Sequence, residues 1–129
     1  MNRFSRLAVV VIVAACADAQ SPVQLAPPKF ARRTNPFEGS ETARLAGAKL
    51  FARECAACHG AEADGLGKAP PLKSPEVSKA SPGALFWALE NGSLRHGMPS
   101  FAHLPEPQRW QIVTFLRSLN SKARLAHEP

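Results

Sequence analysis

Residues 55 to 60 read Cys-Ala-Ala-Cys-His-Gly, and no other stretch constrains this chain as much. Two thiols and an imidazole within five positions can clamp a metal, cycle between thiol and disulfide, or anchor a large prosthetic group. The choice decides the fold, because the rest of the chain offers little core. About 80 residues arranged as a few short helices with long loops rarely hold together without a staple.

The helical signals are three. Ser40 is a helix cap with Glu41 in the first turn, and Ala43, Ala46, Gly47, Leu50 and Phe51 follow at helical spacing up to Glu54. Gly47 lies inside that apolar stripe. An interior glycine costs about 1 kcal/mol against alanine, which is tolerable where a second helix must come close. Ser81-Pro82 opens the next helix, serine as cap and proline at the first position. Leu85, Phe86 and Leu89 form its inner face, Trp87 lies near the edge, and Asn91-Gly92 closes it. Pro105, Glu106 and Pro107 mark a third start, and Trp110, Ile112, Val113, Phe115, Leu116 and Leu119 give that helix a broad apolar face. Between them run loops rich in Gly and Pro: Gly65-Leu66-Gly67, Pro70-Pro71 and Ser74-Pro75, then residues 93–104. No strand pattern and no internal repeat stand out. The expectation is an all-α domain over residues 40–120, with a polar tail at 121–129.

The N-terminus reads differently. Arg3 and Arg6 precede an apolar run from Leu7 to Ala15, too short to span a bilayer, which takes about 20 apolar residues, but suited to an export signal over residues 1–19. In an oxidising compartment an odd cysteine is a liability, and Cys16 is that cysteine. Cleavage after Ala19 would discard it. Cleavage after Ala15, at a lipobox-like Val13-Ala14-Ala15-Cys16, would instead lipidate it and tether the protein. Residues 20–39, with Pro22, Pro27, Pro28 and Pro36, read as an extended linker. The net charge of +6 sits largely outside the domain, since residues 40–120 hold nine Lys/Arg and seven Asp/Glu. With no basic helix face interleaved with aromatics, nucleic-acid binding is not expected.

The motif can now be read. A thiol–disulfide switch wants its first cysteine at the start of a helix, where the dipole lowers the thiol pKa; here the motif follows a helix. A structural zinc site wants four ligands, usually in two pairs; Cys58 and His59 are adjacent, no second cysteine pair exists, and His96 or His103 would have to complete the set. Covalent haem suits the spacing. Two thiols form thioethers to the two vinyl groups, and the next residue, His59, lies under the iron. The sixth ligand is expected from Met98, 39 residues on, within Arg95-His96-Gly97-Met98-Pro99-Ser100-Phe101. Methionine is usually core packing, but Met98 is the one methionine left once Met1 departs with the signal. Gly97 and Pro99 place it on a loop. His96 and His103 are rivals that would give a bis-histidine haem of lower potential; exposed loop polarity is the plainer role for both.

Taken together, Gly47 with Phe51, Cys55-x-x-Cys58-His59-Gly60, Pro70-Pro71-Leu72, Gly97-Met98-Pro99 with Phe101, and the final Gln108-Arg109-Trp110-Gln111-Ile112-Val113-Thr114-Phe115-Leu116-Arg117-Ser118-Leu119 resemble the class I cytochromes c. Within that class the chain is similar to small bacterial domains related to the cytochrome c subunits of cbb3-type oxidases. The resemblance covers about residues 40–120. It implies a small class I cytochrome c fold, three main helices with long Gly/Pro loops wrapped around one covalent haem c. It implies that the first and last helices cross near Gly47, with Phe51 and Trp110 at or beside the contact. It implies that Pro70 or Pro71 offers a carbonyl to the His59 ring N–H, that Leu72, Phe86 and Trp87 help wall the haem, and that Arg95 and Arg109 are candidates to meet its propionates.

The expected activity is that of a monohaem electron carrier, not an enzyme, in the periplasm or tethered to a membrane through Cys16. Its partners would be a dehydrogenase, a bc-type complex or a terminal oxidase. The alternatives are a haem subunit of a larger dehydrogenase or oxidase complex, and a haem sensor whose methionine ligand is labile.

Overall fold

A computed structural model of the protein describes residues 20–125; the export signal, Cys16 and residues 126–129 lie outside the described residues. Helices in chain order are α1 (Pro28–Ala31), α2 (Glu41–Glu54), α3 (Ala56–His59), α4 (Pro75–Lys79), α5 (Pro82–Asn91) and α6 (Glu106–Leu125), with 3-10 turns at Pro22–Leu25 and Leu94–His96. Among the described residues there is no strand, only isolated bridges at Leu66–Ala69 and Ser93–Met98. The fold is the expected small all-α one.

Each of the two earlier main helices starts at its serine. Ser40 Oγ accepts from Ala43 N at 3.2 Å, and Ser81 Oγ accepts from Ala84 N at 3.2 Å; such caps each contribute about 1 kcal/mol. α4 begins in the same way, Ser74 Oγ accepting from Val77 N with Pro75 at the first position. That Ser-Pro pair, read above as loop, carries the same start signal as Ser81-Pro82. α6 continues to Leu125, past the expected end of its apolar face and through part of the polar tail.

α2 and α6 cross at Gly47. A Cβ there would lie 2.0 Å from Gln111 O and 2.9 Å from Phe115 Cβ, so only glycine admits this approach. Phe51 is buried at the crossing, but its ring partner is Phe115, centroids 5.3 Å apart, and not Trp110. Trp110 stacks on Phe86 at 4.1 Å, linking α6 to α5 instead. Phe51, Phe86, Ile112 and Val113 are the largest fully buried side chains, each worth about 1.5–3 kcal/mol of burial.

Residues 20–39 are not an extended spacer. They fold back as a strap over α5 and α6. Proline presets a helical φ as readily as it favours extension, and here Pro22 and Pro28 each open a helical turn. Ser81 Oγ donates to Ala31 O at 2.7 Å, and Asn35 Nδ2 donates to Thr114 Oγ1 at 2.9 Å, a buried bond. The Arg33 guanidinium lies over Phe86 and Trp110, 4.7 and 5.3 Å from the centroids, and reaches Glu106 Oε1 at 2.6 Å. Gly83 lets the strap settle: its missing Cβ would fall 2.1 Å from Phe30 O.

Candidate haem site

Cys55 ends α2 and starts α3, the single turn that carries the motif. His59 N and Cys58 N both bond Cys55 O, at 2.9 and 3.2 Å. Residues three and four apart on such a turn are neighbours, so Cys55, Cys58 and His59 share one side. Cys55 is buried and Cys58 exposed, both as free thiols. Burial first, then the charges of Glu54 and Cys58, push the Cys55 thiol up to about 11. At neutral pH it stays protonated, which does not suit a redox switch. Among the described residues no three His, Cys, Asp or Glu converge to hold an ion.

The backbone then turns sharply. Gly60 and Gly65 take positive φ, and so does Ala63, fully buried at φ 59°. Gly65 N bonds His59 O at 2.8 Å and Leu72 N bonds Ala63 O at 2.9 Å, folding the 60–72 loop back onto the motif. This brings Pro70 O to 2.9 Å from His59 Nδ1. A carbonyl oxygen only accepts, so Nδ1 carries the proton and Nε2 presents its lone pair. Of the two prolines it is Pro70 that makes the contact; Pro71 is exposed. Asn120 of α6 ties the loop down by donating to Leu72 O at 3.0 Å.

Across from this loop runs the segment that carries Met98. Lys68 on one side and Leu94, Arg95, His96 and Gly97 on the other line a cleft of about 430 Å³. Met98 and Leu72 are partly buried and pack on the common core. His96 is exposed and its Nδ1 is taken by Ser93 Oγ at 2.7 Å; His103 is exposed beside Phe101. Trp87 is partly buried. Phe86 is fully buried, with Trp110, Arg33 and Arg109 against its ring.

Several observations test whether these residues fit a haem. Leu94 is 84% exposed and Leu66, on the same loop as Lys68, is 57% exposed, apolar surface that a porphyrin would cover. Arg109 is 7% exposed; its Nη1 is ion-paired with Glu90 Oε1 at 3.0 Å, while its Nε has no hydrogen-bond partner. Buried guanidinium donors without an acceptor are costly, and a propionate carboxylate is an acceptor of the right kind. The donor set of two thiols, an imidazole Nε2 and a thioether is that of a c-type haem. The residues fit.

An all-α domain of this size, built on a Cys-x-x-Cys-His turn with its histidine ring fixed by a proline carbonyl, defines a class I c-type cytochrome. The family described as cytochrome c oxidase, cbb3-type, subunit III matches residues 42–116, and the chain belongs to that family. Its cofactor is covalently bound haem c and its role is haem-based electron transfer. No curated protein matches the chain significantly. The match begins after the strap, which lies outside the matched residues. Sequence reasoning missed Arg33, Ala63, Ser100 and Asn120. Asn91-Gly92 was legible as a helix end, but not what packs against it.

Proposed function

We propose that this chain is a one-electron carrier that exchanges electrons with exported redox partners at the haem edge beside Cys58. One observation carries the reading: the His59 ring is locked by Pro70 O, in a Cys-x-x-Cys-His turn whose following loop shares a cleft, at Lys68, with residues 94–97 just before Met98. When bound, the haem supplies a one-electron couple at its iron. Cys55 and Cys58 would hold it, each thiol adding across one vinyl group. His59 Nε2 and Met98 Sδ would hold its iron, so that neither ligand position would be left for a substrate. Leu72 and Trp87 would wall the ring, and Arg109, with Arg95 at the cleft mouth, would meet its propionates. The exposure of Cys58 supports an edge open to solvent, where a partner docks weakly over a small interface. A thioether ligand favours a higher potential than two imidazoles.

The partners this suits are a dehydrogenase, a bc-type complex or a terminal oxidase. The family's description as an oxidase subunit favours a second reading, a resident haem subunit of a larger complex; copurification with a stoichiometric partner would select it. Lipidation of Cys16 would tether the domain and cleavage after Ala19 would free it, so the mass of the mature N-terminus decides between them. No helix among the described residues is long and apolar enough to cross a membrane. The carrier reading is tested on periplasmically matured protein. Met98→Ala should abolish the long-wavelength iron–sulfur charge-transfer band of the ferric state and open the ferrous state to carbon monoxide. A band that survives the substitution removes Met98, and tight carbon monoxide binding with Met98 intact favours a sensor.

A further inference from the structure

The last carbonyls of a helix have no partner within it. At the end of α5 they are taken by the Met98 segment. Leu89 O accepts from Phe101 N at 2.8 Å and Glu90 O accepts from Ser100 Oγ at 2.5 Å, while Gly92 N closes the helix on Ala88 O at 2.8 Å. One residue further on, Ser93 and Met98 exchange both backbone bonds, Ser93 N to Met98 O at 2.8 Å and Met98 N to Ser93 O at 3.0 Å. The chain between them is one 3-10 turn closed by Gly97 in the left-handed region. Gly92 makes the fit possible. It sits at φ +65°, and a Cβ there would fall 2.5 Å from the carbonyl carbon and oxygen of Pro99 and 2.7 Å from Ser100 N. Met98 itself is thus bonded to Ser93, just past the helix, and the residues that follow it are registered to the helix end.

We propose that Gly92 and Ser100 form a latch that caps α5 with the Met98 segment and holds Met98 in its ligating position. They are positioning residues, acting through Met98 without touching the haem. The inference rests on Met98 being the sixth ligand, and it separates the carrier from the sensor. A methionine on a free loop leaves its metal easily; one whose own backbone is bonded to Ser93 and whose following residues are bonded to a helix end does not.

The test uses the matured full chain with haem. Carbon monoxide affinity in the ferrous state reads the fraction of molecules with Met98 displaced, since apparent affinity scales with the competent fraction. Ser100→Ala removes one hydrogen bond and should raise that affinity about two- to tenfold. Gly92→Ala should raise it further and weaken the ferric charge-transfer band. Asn35→Ala, which destabilises the fold through the strap and lies outside the latch, should leave carbon monoxide affinity unchanged. Equal effects from Asn35→Ala and Ser100→Ala, or none from Ser100→Ala and Gly92→Ala while Met98→Ala does open the iron, would overturn the latch. If Met98→Ala itself changes neither band nor affinity, the sixth-ligand assignment fails first and the latch goes with it. Should Gly92→Ala fail to fold, the Ser100→Ala comparison decides alone.

Discussion

Replacing Gly83 by alanine tests the strap by the sign of its effect. Gly83 sits at the second position of α5, where alanine by itself favours the helix by up to about 1 kcal/mol over glycine. In the folded protein the new methyl would meet Phe30 O at 2.1 Å and Ala31 O at 2.9 Å. Ordinary contact begins near 3.4 Å, so the strap must retreat by about 1.3 Å. That movement stretches the 2.7 Å bond from Ser81 Oγ to Ala31 O, worth about 1 kcal/mol. It also lifts the Arg33 guanidinium from Phe86 and Trp110, worth about 0.5–2 kcal/mol. After subtracting the helix gain, Gly83→Ala should cost about 0.5–2 kcal/mol. Guanidinium unfolding of the holoprotein followed by far-UV circular dichroism would read it as a lower midpoint at unchanged slope. In a chain lacking residues 20–34 the obstacle is gone, and alanine should become the more stable residue. A stabilising Gly83→Ala in the full chain would mean that residues 20–39 are a linker after all.

Gly47→Ala should be more damaging, about 3 kcal/mol or more, because the new Cβ meets Gln111 O at 2.0 Å between two main helices that cannot retreat separately; the same unfolding experiment measures it. Asn120→Ala removes donors to Leu72 O and Leu116 O and should cost about 1–3 kcal/mol, with faster amide exchange at Leu72 as the local sign. Glu106 is held below the ordinary carboxylate range by the Trp110 indole N–H first and by Arg33 second. A lowered carboxylate pKa stabilises the fold above its unfolded value, and that support disappears as pH falls through the folded one. The stability gap between wild type and Glu106→Gln should therefore be widest near neutrality and close below about pH 4; a gap that widens on acidification would contradict the assignment.

What the sequence made legible is what depends on neighbours along the chain. Ser40, Ser81 and the apolar stripes marked the main helices because capping and periodicity are local properties. Cys55, Cys58 and His59 declared their chemistry by spacing alone. Gly47 announced a close approach, since a glycine on an apolar face has few other uses. The strap was illegible because proline serves extended chain and helix start alike, and because what holds it down is long-range: Arg33 to Glu106, Asn35 to Thr114, Phe30 O to Gly83. Phe86 shows the same gap: its helical position faces inward, but only the tertiary arrangement shows that inward means Trp110 and two guanidinium groups. Ser100 is an exposed serine in a polar loop by sequence, and only the end of α5 gives it a partner.

Covalent attachment at Cys55 and Cys58 is the claim on which the rest stands, and an alkaline pyridine haemochrome spectrum of the denatured, periplasmically matured chain tests it most directly. Haem that stays with the polypeptide through acid extraction, with a spectrum showing both vinyl groups saturated, is the predicted result. A folded chain that yields free haem or none, with both thiols still titratable, would contradict it.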